Sequence, residues 1–264
     1  MLCRESVTPP RIDPTPAVPS AGTTTEDVWA TIPQDLMLKR ELDLAEPLLE
    51  HKLVHHLHTL ANTNTACCTK SFIGAGNYHH HVPAICDAVT ARPEFATAYT
   101  PYQPEVSQGV LQALFEYQSL MCALTGTDIS NASLYDGSTA LAEAVLMVLR
   151  MKGQGTIVVD ESVHPHYRQV LATYGRFCGF TIQELATDAP LTAKAVSNVI
   201  EESTACVIVQ SPHYLGWIQD WRKIEEGVGN TPLIAVAGDA TSLGLLPPPA
   251  NADVVCGDGQ ALGN

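Results

Sequence analysis

The chain has 264 residues, 45% of them hydrophobic and 16% charged, enough apolar material to bury a sizeable core without staples. Its 28 acidic against 14 basic residues give a formal net charge of -14 with no Lys/Arg run, which excludes a nucleic-acid backbone as a natural partner. Eight cysteines occur without a Cys-x-x-Cys pair, several inside apolar runs such as Ala205-Cys206-Val207, so they read as small buried hydrophobes in a reducing compartment rather than as disulfides or a metal set.

Residues 1–23 contain Pro9, Pro10, Pro14, Pro16 and Pro19. They lack the apolar segment of a secretory leader and the Arg-rich, acid-poor character of a transit peptide, so they read as a loose tail. No run is long and apolar enough to cross a membrane, and a soluble, cytoplasmic protein is expected. Hydroxyl residues ahead of Glu26 and Asp27 mark the start of a short helix over residues 27–30, closed by Pro33. Leu49, Leu53, Leu57 and Leu60 recur at helical spacing and predict a helix over 48–62 with one apolar stripe. Its other face carries His51, His55 and His58. With His79, His80 and His81 these imidazoles invite a metal, but no carboxylate or cysteine stands beside them at zinc-motif spacing, and no metal site is expected.

Residues 71–76 (Ser-Phe-Ile-Gly-Ala-Gly) have the small side chains of a closely approached loop, though no strand precedes them as a dinucleotide fingerprint requires. In residues 99–109, Pro101 and Pro104 fix an extended backbone that presents Tyr99, Tyr102, Glu105 and Ser107. Such a rigid polar loop suits a binding wall or a contact between subunits. A helix over 110–124 places Leu111, Leu114, Phe115 and Met121 on one side, reads as core, and stops at Gly126. Asp136-Gly137-Ser138-Thr139 opens the next helix, over 140–150. Two readings stay open there: an ordinary N-cap, or an anion seat where hydroxyls and backbone N–H groups converge. From Gly155 onward, short β-rich runs alternate with helical stretches: 156–159, 180–182, 206–209, 233–236 and 253–256. This pattern predicts an α/β fold with a mostly parallel sheet, covered on both faces and carrying its ligands beyond the strands' carboxyl ends. His164, Gln210, Ser211 and Asp239 all follow such strands.

The sequences of residues 71–76, 99–109, 131–144, His164-Pro165, Gln210-Ser211-Pro212, 242–246 and 257–263 resemble the N-terminal half, or alpha subunit, of the glycine cleavage system P-protein. The resemblance implies the large domain of a fold-type I pyridoxal-phosphate enzyme over residues 24–264, with the small C-terminal domain missing and the sequence C-terminally truncated relative to the family. It also implies glycine decarboxylation and transfer of the aminomethyl group to lipoyl H-protein. By order along the chain, Ser138 and Thr139 would form the phosphate cup, His164 would stack on the cofactor ring and Asp239 would face the pyridine nitrogen. The Schiff-base lysine has no counterpart, because Ala261 stands where it is expected. The family therefore implies a lysine-bearing beta subunit as partner and covalent holder of pyridoxal phosphate. Tyr99, Tyr102, Glu105 and Ser107 would complete that partner's active site. Two other readings stay open: a non-catalytic interaction homologue, and a stand-alone aminotransferase or decarboxylase that would need a lysine.

Overall fold

The computed structural model describes residues 29–30, 32–64, 70–74, 76, 78–96, 99–186 and 188–263. The expected N-terminal tail, the start of the short helix near residue 27, and Cys3, Cys67 and Cys68 lie outside these residues. The chain divides into two units, Met1–Lys70 and Ser71–Asn264. In the first, helix α1 spans Glu50–Ala61, within two residues of the expected bounds, and none of its residues is buried.

The second unit begins with helices α2 (Ala84–Thr90), α3 (Pro93–Ala96), α4 (Gln108–Thr125) and α5 (Gly137–Lys152). It then alternates: β1 (Thr156–Asp160), α6 (Pro165–Cys178), β2 (Thr181–Leu185), α7 (Ala193–Ser197), β3 (Thr204–Ser211), α8 (Trp221–Val228) and β4 (Leu233–Ala237). A short 3-10 turn at Ala240–Gly244 leads to β5 (Val254–Gly257), and a second at Gln260–Leu262 follows. The sheet order is β2-β1-β3-β4-β5 and every pairing is parallel, so the βα alternation read from the sequence is the architecture.

Alternation along the strands sorts their side chains onto two faces. One face carries Ile157, Val159, Cys206, Ile208, Ile234 and Val236 and packs against Leu141, Val145 and Val148 of α5 and Leu171 of α6. The other carries Val158, Val207, Val209 and Leu233 beneath Val196 of α7 and Ile224 and Val228 of α8. Two helical layers thus sandwich the sheet, and β3, buried from Ala205 to Ser211, forms its centre.

Three expectations need correction. Helix α4 ends at Gly126 in the left-handed conformation (φ 76°) as expected, but none of its residues is buried and Phe115 is 67% exposed. Periodicity records which side of a helix is apolar, whereas burial needs a covering element, and among the described residues that side of α4 is only partly covered, with Leu111, Leu114 and Met121 half-buried. Strand β2 is not covered on both faces. It is an edge strand (Thr-Ile-Gln-Glu-Leu) with solvated positions, and Glu184 on it receives Arg168 at 2.8 Å. Among the cysteines, Cys206 is buried and its thiol is pushed up to about 12 by burial, but Cys178 is exposed.

Gly227 marks a tight contact between α8 and α7: a Cβ there would stand 2.6 Å from the Ala193 carbonyl oxygen and 2.7 Å from Val196 Cβ. Gly227→Val is expected to lower stability by about 1–3 kcal/mol in urea unfolding, whereas Gly244→Ala, with nothing near its added methyl, should stay within about 0.5 kcal/mol. Leu171→Ala, which empties a fully buried position, should cost about 2–5 kcal/mol while leaving the far-ultraviolet circular dichroism unchanged.

Candidate functional site

Strand β2 lies on one side of β1 and β3 on the other. Segments leaving the carboxyl ends of β1 and β3 therefore diverge and open a crevice, the usual ligand position in an open parallel sheet. Gln210 closes the floor of this crevice. Its Oε1 accepts the His164 N–H at 2.9 Å, its Nε2 donates to the Pro212 carbonyl at 3.1 Å, and its own N–H donates to Ser162 Oγ at 3.0 Å. The loop after β1 is thereby tied to the turn after β3.

His164 caps α6, with Nδ1 accepting the His166 N–H at 3.1 Å and Pro165 in the first helical turn. Its ring meets Tyr214 edge-on at 4.9 Å and lies 5.5 Å from Tyr167. Gly76 runs beside it: a Cβ at that residue would stand 3.8 Å from His164 Nε2. His164, Gln210 and Tyr214, with Gly76, Tyr78 and Asp239, line a cleft of about 380 Å³.

Asp239 follows β4. Its Oδ1 accepts the Thr241 N–H at 2.8 Å and the Thr241 hydroxyl at 2.7 Å, capping the 3-10 turn. Its Oδ2 lies 3.1 Å from His80 Nε2. Burial pushes this carboxyl upward, but the Thr241 and His80 hydrogen bonds outweigh it and hold Asp239 below the usual carboxylate range.

The N-terminus of α5 is a full capping box. Asp136 Oδ1 accepts the Thr139 N–H at 2.8 Å and the Ser138 hydroxyl at 2.5 Å, and Thr139 Oγ1 in turn accepts the Asp136 N–H at 3.2 Å. From the other side, Asp258, just past β5, accepts the Gly137 N–H at 3.0 Å on Oδ1 and the Tyr167 hydroxyl on Oδ2. Burial first, and then the adjacent Asp258 carboxylate, hold the Tyr167 phenol well above its ordinary range. Only glycine fits at 137, since a Cβ would run into the Tyr167 hydroxyl and come within 2.9 Å of Asp258 Oδ2.

Of the residues named from sequence, His164 and Asp239 share the cleft, while Ser138 and Thr139 sit at the α5 N-terminus with their hydroxyls engaged in its cap. Tyr99, Tyr102, Glu105 and Ser107 do not line the cleft. Tyr99 is 90% and Tyr102 78% exposed, their rings 6.4 Å apart, and Ser107 stands at the N-cap of α4 without a side-chain cap bond. Ala261 occupies the last 3-10 turn, and no lysine lines the cleft. The residues present thus do not fit a pyridoxal phosphate held covalently by this chain, which requires an amine.

Sequence reasoning missed Asp258 and His213, and weighed His80 only as a metal ligand. Asp258 follows a strand directly, and that position was its available signal. His80 carried none beyond its neighbours His79 and His81. His213 is buried in the turn after β3, with its ring 4.1 Å from that of Trp217, and burial pulls its imidazole below the ordinary range.

Residues 21–264 match the family model for the glycine cleavage system P-protein. The chain is 43% identical over 244 residues to the probable glycine dehydrogenase (decarboxylating) subunit 1 of Desulforamulus reducens and 46% identical over 248 residues to that of Thermomicrobium roseum. Each match covers 90% of this chain but only 55% and 54% of the relative, so the chain spans about half the length of these curated proteins. A crystal structure of glycine decarboxylase (P-protein) of the glycine cleavage system, in inhibitor-bound form, is 44% identical, with a TM-score of 0.81 over 90% of this chain and 54% of that one. A glutamate decarboxylase from Lactobacillus brevis, at 10% identity and a TM-score of 0.51 over 78% of this chain and 51% of that one, shares the fold alone. On these matches, and with the parallel sheet of a pyridoxal-phosphate-enzyme fold beneath them, the chain belongs to the glycine cleavage system P-protein family.

Proposed function

We propose that this chain acts as the subunit of a glycine decarboxylase that does not supply the Schiff-base lysine. It supports pyridoxal-phosphate-dependent decarboxylation of glycine, and transfer of the aminomethyl group to the lipoyl arm of H-protein, on a beta subunit that supplies the Schiff-base lysine. The observation that carries this reading is the combination of the family's parallel sheet with a carboxyl edge that offers Ala261 and no amine. When bound to a lysine-bearing partner, pyridoxal phosphate supplies the electron sink for decarboxylation. This chain's own part is to position and enclose.

Residues 99–109 are the segment suited to that part. Tyr99 and Tyr102 are largely exposed, with rigid aromatic bodies and polar tips that gain most from burial in a contact between subunits. Pro101 and Pro104 lower the entropy lost when the loop docks. Glu105 and the Ser107 hydroxyl add a charge and a donor that can orient a small zwitterion such as glycine. The second reading, a non-catalytic homologue that keeps only the subunit contact, draws on the exposure of Tyr99 and Tyr102 away from the cleft.

One experiment separates the two. The chain is co-purified with a lysine-bearing beta subunit, and glycine-dependent exchange of labelled carbon dioxide is followed in the presence of lipoylated H-protein. The pair is expected to be active where either subunit alone is not, and a Tyr99→Ala/Tyr102→Ala variant should lose about 10- to 100-fold in kcat/KM, the scale of one or two lost contacts at a reacting centre. A stable but inactive pair selects the second reading.

A further inference from the structure

We infer that this chain carries a closed anion seat, in which its own Asp258 carboxylate occupies the helix N-terminus that would otherwise receive a phosphate group, and that neutralising Asp258 opens the seat to a phosphoryl ligand. This inference rests on the geometry of α5 and β5 and stands whether or not the chain supports catalysis on a partner.

An α-helix leaves its first four N–H groups without helical partners, and these groups, with the positive end of the helix dipole, form the anion-binding feature. At the start of α5 three of the four have side-chain partners: the Asp136 N–H donates to Thr139 Oγ1 at 3.2 Å, the Gly137 N–H to Asp258 Oδ1 at 3.0 Å and the Thr139 N–H to Asp136 Oδ1 at 2.8 Å. The Ser138 hydroxyl is also turned to Asp136. Two carboxylates therefore stand at one helix start. A phosphate brought there would meet their charge, on a chain whose net charge is already -14.

Asp258 is not a loose side chain that moves aside. It sits directly after β5, is half-buried, and receives the Tyr167 hydroxyl on its second oxygen. Tyr167 stays a donor, because burial and the Asp258 charge hold its phenol well above the usual range. The carboxylate is thus gripped from α5 and α6 together.

The neighbouring position after β4 shows the same self-occupancy. Ala237 pairs with Gly257, so Asp239 and Asp258 leave adjacent strands at the same edge. Asp239 holds the nitrogen ring of His80 at 3.1 Å, an internal imidazole on the acid that would face a pyridine nitrogen.

The probes are inorganic phosphate and pyridoxal phosphate, titrated into the isotope-labelled chain while the Gly137 amide is followed by nuclear magnetic resonance. The parent chain should show no saturable shift at Gly137 with either probe. Asp258→Ser should bind inorganic phosphate at least about ten-fold more tightly. Adding His80→Ala should strengthen pyridoxal phosphate further without changing inorganic phosphate, since only the former carries a pyridine ring. Saturable phosphate binding at Gly137 in the parent chain overturns the inference, as does a folded Asp258→Ser variant with no gain. If Asp258→Ser does not fold, Asp258→Asn, which keeps an acceptor for Gly137 and Tyr167, takes its place under the same criteria, and the parent titration decides by itself.

Discussion

The structure depends on the double-sided burial of β3. Seven of its eight residues are buried, with Cys206 and Ile208 facing one helical layer and Val207 and Val209 the other. A strand of this kind cannot sit at an edge or face water on one side, because each aliphatic side chain left exposed forfeits roughly 1.5–3 kcal/mol. It requires a parallel neighbour on either side and a helix above and below, which means βα crossovers. Once β1 and β3 are neighbours and β2 lies beyond β1, the connections at their carboxyl ends must part. The crevice bridged by Gln210 follows from the core, not from any residue selected for chemistry.

This hierarchy explains what could be read from sequence. The five β-rich runs were legible because a buried parallel strand is continuous in Val, Ile, Leu and Ala, and the observed strands 156–160, 204–211, 233–237 and 254–257 coincide with them to within about two residues. Phe180 belongs to the core and not to β2, so that strand starts one residue later than expected. The apolar stripe of α4 was equally legible, yet its burial was not, since the same periodicity serves a core helix and one only partly covered. Gly126 was readable as a stop because only the left-handed conformation was required of it.

At the site, strand-end position located His164 and Asp239, but it could not say what they touch. The partner of Asp239 lies 159 residues away in His80, and that of Gly137 lies 121 residues away in Asp258. Contacts of that separation are set by the assembled sheet, and no local pattern encodes them. Asp136 shows the converse case. Its capping box with Thr139 is local in sequence and was one of the two readings that the motif allowed.

Each fitting that the family resemblance reads as cofactor machinery also has a structural task in this chain. His164 caps α6, Asp239 caps the turn after β4, Ser138 and Thr139 complete the cap of α5, and Asp258 ties the end of β5 to α5 and α6. Removing any of these side chains would expose helix-end donors or leave a half-buried acceptor unpaired, each at about 1–2 kcal/mol. That cost suffices to retain them whether or not the carboxyl edge carries chemistry, so their presence testifies first to the fold.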